Sequence, residues 1–468
     1  MKSKVLRIAV ASCFAPFVLA AQPAFADATD DLKTEIKAQR ELLESQRVQI
    51  EAQRARLEAL EKKLDSAVAS QDAAKPAPTQ QAAVQRPAPA PATATTVIAS
   101  ADYEMGEGLT FRLTPKDTVT LYGLIDATIS DISNANAAGN HKTSYQTAWF
   151  SGDRWGITGR HGIGDGSLST IFKLESEFDY QTGEEDTPGV LFNRDAWIGF
   201  QSDGLGKLTF GRQNAIARDF TGIYGDPFTG ARVTLEEGGY TNVNNFKQLI
   251  FYAASATGTR YDRGVVWKKE FGPLVAGLAY QFGGVAGAMD KGSTQAVALG
   301  YNGANDFYHL AGFYNHFNVN GFKQDDWSVG GNVMIVPALR LNAGYYKQDA
   351  EQGGGVGNRK DHAWTLSAKF APGGPLDYML GYQVIHADNA GLSGSGFVLT
   401  PYASAAGVTQ TATGDKKTTY GAIFYHFDRR AELYLAADYM KLSNGYKLSV
   451  TNGHDNQTEI GAGMRIRF

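Results

Sequence analysis

Cysteine occurs once in the 468 residues, as Cys13. A lone thiol excludes a disulfide framework within the chain and a cysteine-bound zinc centre. Uninterrupted apolar runs of about 20 residues are also missing, which excludes a bundle of membrane helices; the one long apolar stretch, residues 8–26, is broken by Ser12, Pro16, Gln22 and Pro23. The eight histidines include neither H-x-x-x-H nor H-E-x-x-H, so a metal site has no support in the sequence. The glycine-rich stretch 353–360 lacks a G-K-[ST] ending and is not a nucleotide loop. Net charge is small too, because 44 basic residues nearly balance 48 acidic ones. A net charge of -4 argues against nucleic acid as a partner.

What is present falls into four regions with different patterns. Residues 1–26 have the anatomy of a secretory signal: a basic start at Lys2, Lys4 and Arg7, an apolar middle, and Ala24-Phe25-Ala26 as a small-x-small cleavage site. Cleavage there removes Cys13 and three basic residues, taking the formal charge from -4 to -7.

Residues 27–67 repeat every seven, with Ile36, Leu43, Ile50, Leu57 and Leu64 at one heptad position. Leu32, Gln39, Gln46, Gln53, Leu60 and Ala67 occupy the second seam position. The pattern predicts a coiled coil, which buries its seam only by self-association. The mixture of Ile and Leu leaves two and three strands open. Residues 68–116 are an Ala/Pro-rich linker and lead-in, and the stretch 66–96, rich in Ala, Pro, Gln and Thr, has no core-forming residues.

From residue 117 to 468 the period is two. About sixteen alternating segments follow, beginning near Thr118, Ser151, Ser167, Leu191, Lys207, Arg260, Leu274, Thr294, Phe307, Trp327, Leu339, His362, Leu376, Thr418, Glu432 and Thr458. Short connections (161–166, 202–206, 336–338) alternate with long polar ones (131–147, 349–360, 387–416). An even number of strands with loops sorted by length predicts an all-β transmembrane barrel of about sixteen antiparallel strands. Aromatic residues at segment ends, among them Tyr122, Phe150, Trp155, Trp197, Trp267, Trp364 and Tyr439, suit interfacial girdles.

Six stretches in order then resemble the Gram-negative trimeric porins of the β-proteobacterial and neisserial type. They are VTLYGLID at 119–126, DRWGITG at 153–159, FKLESEF at 172–178, LFNRDAWIGF at 191–200, GKLTFGRQ at 206–213 and GMRIRF at 463–468. The resemblance implies an outer-membrane homotrimer, and the terminal Phe468 resembles the insertion signal of such barrels. It also implies that the third long loop, here about residues 215–258, folds inward to face a basic wall. The family starts its first strand soon after the signal, so the coiled coil is an addition, one that suits a trimer in the periplasm.

The expected loop acids are Asp219, Asp226, Glu236 and Glu237. Period-two parity turns Arg154, Arg160 and Lys173 inward on the second and third strands. Arg212 and Arg194 break parity; a bulge at Gly211 is expected to reverse Arg212, while Arg194 is lumenal or at the rim. Of Arg260 and Arg263, one points inward. These residues are the expected basic wall of a constriction that orients polar solutes.

The expected work is passive diffusion of ions and small hydrophilic solutes across outer-membrane lipid, without enzyme chemistry, cofactor or metal. Two alternatives stand beside it: a channel selective for a carboxylate, phosphate or sugar, and a structural tether whose coiled coil contacts the cell wall.

Overall fold

In the computed structural model, the described residues are 108–468 apart from 148, 226, 229, 238–253, 320, 353, 354, 356, 391–411 and 452. The chain divides into two units, Met1–Ala94 and Thr95–Phe468. The signal, the heptad seam of Ile36, Leu43, Ile50, Leu57 and Leu64, and most of the linker lie outside the described residues.

The alternating segments are strands. In order they are β1 (Leu109–Thr114), β2 (Asp117–Ile132), β3 (Lys142–Thr147), β4 (Arg154–Gly162), β5 (Ser169–Glu177), β6 (Asp195–Ser202), β7 (Gly206–Asn214), β8 (Arg260–Phe271) and β9 (Leu274–Gln281). They continue as β10 (Thr294–Asn302), β11 (Tyr308–Val319), β12 (Phe322–Val336), β13 (Leu339–Ala350), β14 (Arg359–Phe370), β15 (Leu376–Asp388), β16 (Gly414–His426), β17 (Ala431–Leu442) and β18 (Asn456–Arg467). Helix α1 (Ile216–Thr221) follows β7, and α2 (Gly445–Thr451) follows β17.

Antiparallel ladders join consecutive strands from β4 to β18. β2 closes the circle, pairing with β4 over residues 117–124 and with β18 over 124–132. β3 pairs with β2 over 127–132, so β3 and β4 are two halves of one interrupted stave. The result is a closed sixteen-stranded barrel, which leaves its lipid-facing backbone no open edge.

The interruption in the second stave has a visible cause. Asp126 on β2 accepts the backbone N–H groups of Phe150 and Ser151, both at 2.9 Å, and the Tyr434 hydroxyl at 2.5 Å. That carboxylate draws residues 149–153 inside, where Phe150 packs on Phe228, Phe424 and Tyr434 with ring centroids 4.6–5.0 Å apart. The strand expected from Ser151 therefore starts at Arg154. Tyr122, Phe150 and Trp197, expected in the girdles, are buried on the inner side, whereas Trp267, Trp364 and Tyr439 face outward. Loop lengths sort as expected with one exception, the two-residue connection 320–321 between β11 and β12.

The outer face is apolar and the inner face polar. Leu366 is 54% exposed while its neighbours Thr365 and Ser367 are buried; Val329 beside Ser328 repeats the arrangement. An exposed leucine on a water-facing surface tolerates arginine with little change in stability. On a lipid-facing surface near the midplane the same change costs about 2–4 kcal/mol. Leu366→Arg is therefore expected to destabilise the barrel by about that amount in lipid-vesicle unfolding titrations, and a neutral result would contradict the lipid-facing assignment.

Candidate functional site: a loop clamped inside the barrel

Residues 215–259 connect β7 to β8, and the described residues between 215 and 237 turn into the lumen. All six residues of α1 are buried, and the helix packs against β10, β11 and β12. Side-chain amides then staple the chain to the wall. Asn332 donates to the carbonyls of Ile223 at 2.7 Å and Ala231 at 2.8 Å. Asn302 bonds both backbone groups of Val233, at 3.1 and 2.8 Å. The Tyr224 hydroxyl donates to Ser328 Oγ at 2.9 Å. The wall makes room with glycine: a Cβ at Gly330 would strike the Tyr224 ring, and one at Gly300 would come within 2.8 Å of Val233.

Where the loop crosses to the β5–β8 wall, carboxylates meet lysines. Glu237 pairs with Lys173, which also lies 3.0 Å from Asp195 and 3.4 Å from Glu175. Glu236 pairs with Lys207 at 2.8 Å, and Lys268 reaches Asp219 at 2.9 Å and the Glu236 carbonyl at 2.8 Å. The Trp197 indole N–H donates to Glu237 Oε1 at 3.2 Å, and Lys207 Nζ sits 5.0 Å from the Trp197 ring centre, within reach of a cation–π attraction. Behind this contact Arg194 pairs with Glu175 and Glu177, and Tyr122 donates to Glu175 at 2.7 Å. Arg260 lies 3.8 Å from Asp195, and Arg154 donates to the Gly152 carbonyl at 2.9 Å.

Six cations of the wall (Arg154, Lys173, Arg194, Lys207, Arg260, Lys268) thus meet three carboxylates of the same wall (Glu175, Glu177, Asp195) and three of the loop (Asp219, Glu236, Glu237). Removing Lys173 or Arg194 leaves the deeply buried Glu175 and Asp195 short of a counter-charge, at a cost of about 3–5 kcal/mol; Glu236, with its side chain 67% exposed, is outside that rule. Two loop carboxyls show the balance. Lys207 holds Glu236 below the usual carboxylate range. Burial pushes Glu237 upward, but Lys173 and Lys207 outweigh it and hold that carboxyl at about 2.

The residues expected from sequence divide clearly. Arg154, Lys173, Arg194 and Arg260 are inside with Asp219, Glu236 and Glu237. Asp226 lies outside the described residues. Arg160 is exposed near the short-connection end of β4. Arg212 does not join the wall: it pairs with Asp262 and donates to the Asn193 carbonyl at 2.7 Å. The register does shift beside Gly211, but the extra residue belongs to β8, so Thr209 and Gln213 keep their common inner face and Arg212 keeps the opposite one. Arg263 sits at that bulge with φ 56° and is exposed, leaving Arg260 as the inward arginine.

Lys207 and Lys268 are the clamp residues that sequence reasoning missed. Both share inward parity with Thr209 and Val266, and they face each other across β7 and β8. That alternation was the available signal. A second charged group on the far wall joins Glu432 to Arg465, to Arg467 at 3.2 Å and to His426 at 2.9 Å. Among the described residues no group of three or more His, Cys, Asp or Glu is arranged to hold a metal ion.

Comparison with known proteins gives a consistent result. The family model described as Gram-negative porin matches residues 88–445. An outer membrane porin protein of Bordetella pertussis is 28% identical over 397 residues, covering 75% of this chain and 94% of that protein. The solved anion-selective porin from Comamonas acidovorans superposes with a TM-score of 0.57 at 18% identity, over 75% of this chain and all of that one. OmpT of Vibrio cholerae, solved in a trimer form, gives 0.52 at 15% identity, over 75% of this chain and 100% of its own. At these identities the solved structures attest the fold.

The clamp carries a pH signature. A carboxyl whose value falls on folding contributes its full stabilisation above its ordinary value and loses it as pH drops through the lowered one. For Glu237 that window runs from 4.5 down to about 2. Single-channel currents are expected to stay quiet from neutral pH to about 4.5 and to grow progressively noisier toward 2 as the loop detaches. Glu237→Gln brings the noise to neutral pH; a variant as quiet as the parent would contradict the clamp.

Proposed function

Because the chain belongs to the Gram-negative porin family, we propose that its water-filled channel works as a homotrimer and that the loop clamped at Lys173, Lys207 and Lys268 sets its narrowest passage. The protein is an outer-membrane porin for passive diffusion. The observation that carries the proposal is the array of ion pairs between loop and wall, which holds 215–237 across the lumen of a sixteen-stranded barrel. Ions and small hydrophilic solutes pass beside it without chemical conversion, and no residue is assigned a catalytic role.

Arg154, Arg194 and Arg260 form the basic part of the wall, and Asp219, Glu236 and Glu237 form the acidic face of the loop. Contact pairing changes how that charge acts. The loop acids touch lysines directly and Arg194 touches Glu175 and Glu177, so those fields are largely cancelled at short range, and the more loosely paired Arg154 and Arg260 set the residual field felt by a passing ion. The short-connection rim, where Phe468 bonds Gly123 at 2.7 and 3.0 Å, is assigned to the periplasm, as in barrels of this kind. The coiled coil of residues 27–67 lies on that side and holds three copies together.

A planar bilayer with a salt gradient tests these statements together. Conductance is expected to rise nearly linearly with salt, in groups of three equal steps, without saturable block by carboxylates, phosphate or sugars. Arg154→Gln combined with Arg260→Gln is expected to move the reversal potential toward cation preference. Block by one solute at low concentration would favour a selective channel, and an unchanged reversal potential would remove the two arginines from the conduction path.

A further inference from the structure

β1 stands apart from the barrel it adjoins: every one of its residues is exposed. Leu109, Phe111 and Leu113 are 61%, 49% and 68% exposed, as open as the outward apolar residues of the barrel. The ladder to β2 sets Leu109 opposite Leu121 and Phe111 opposite Val119. Residues directly opposite in an antiparallel pair share a face, so the row continues the barrel's outward surface. Thr110 and Arg112 occupy the other face.

The place of this hairpin is set by where β18 stops. Arg467 is opposite Leu124, Phe468 bonds Gly123, and Leu109 begins the next stretch of the same edge opposite Leu121. The hairpin then turns among charged groups. Lys116 is 3.1 Å from Asp165 and 2.5 Å from the Gly164 carbonyl, and Asp117 pairs with His161.

Neither solvent suits such a strand. Among the described residues the register of β1 is with β2 alone, and an open edge is not tolerated in hydrocarbon, where no water satisfies the backbone. In water, a row of three large apolar side chains on an edge strand is a template for association. Protein therefore covers it, and the heptad pattern identifies that protein. Residues 27–67 bury their seam only against other copies of this chain, and the linker of 68–108 leads each copy directly into its own β1.

We propose that the β1 hairpin is an inter-protomer seam, in which Leu109, Phe111 and Leu113 of one copy pack against the same hairpin and the adjoining Leu121 and Phe468 of neighbouring copies. This rests on the homotrimer reading above and adds the surface through which the barrels meet below β18.

The full-length protein, secreted and purified in detergent, tests the seam in two ways. Light scattering gives the mass of the particle and of the triple variant Leu109→Ser, Phe111→Ser, Leu113→Ser, whose barrel is checked by its heat-modifiable mobility. Cleavage of the signal leaves no other cysteine, so Leu113→Cys with a short bis-maleimide reports proximity, and Val329→Cys on β12 serves as the distant control. The expected result is a trimeric parent, a covalent dimer from Leu113→Cys and none from Val329→Cys, and loss of most trimer in the folded triple variant. A trimer that gives no adduct at Leu113 and survives the three serines overturns the seam while leaving the trimer standing. A monomeric parent overturns both.

Discussion

Backbone N–H and C=O groups in hydrocarbon have no water to satisfy them, so a sheet that crosses a membrane must close on itself. Here that requirement falls on the ladder between β18 and β2, which joins residues 459–467 to 124–132. Phe468 adds the last pair of bonds, to Gly123. Once the circle closes, the period of two fixes everything else. Each strand shows one face to lipid and one to the lumen, and an apolar residue on the wrong face would also displace a polar one into hydrocarbon.

Closure also makes an interior large enough to need furnishing. Two segments enter it by different means. Residues 149–153 are drawn in by one buried carboxylate, Asp126, whereas residues 215–237 are pinned by amides on β10 and β12 and by lysines on β5, β7 and β8. The two meet where Phe228 packs on Phe150. Apolar contact therefore fixes the loop on one side and ion pairs fix it on the other. The ion pairs are the part that responds to pH and salt, because screening and protonation weaken charges and leave apolar contacts in place.

Most of the architecture was legible in the residues. Strand starts such as Lys207, Arg260, Leu274 and Leu339 lie within a residue of the observed strands, because alternation reports which face meets lipid. The aromatic residues misled where they were judged by position along a segment. Tyr122 and Trp197 share inward parity with Leu124 and Asp195, and they serve Glu175 and Glu237. The site was half legible. Parity found Arg154 and Lys173, but the fate of Arg212 depended on which strand of a pair carries the extra residue at a bulge. That is a property of two strands together, and no reading of one strand contains it. Lys207 and Lys268 escaped because their partners lie in a loop whose path is set by contacts with the opposite wall. β1 lay hidden in the lead-in because its six residues, although they alternate, are separated from the barrel's segments by a short turn and follow a linker without periodicity.

The central claim is that solutes pass through a fixed, water-filled passage narrowed by a loop locked to the wall. Swelling of liposomes that contain the purified protein, measured with a series of uncharged sugars of increasing size, addresses it most directly. The account predicts rates that fall smoothly with solute radius and remain proportional to the imposed gradient. Swelling that saturates with one sugar, or no swelling with the smallest, would contradict it.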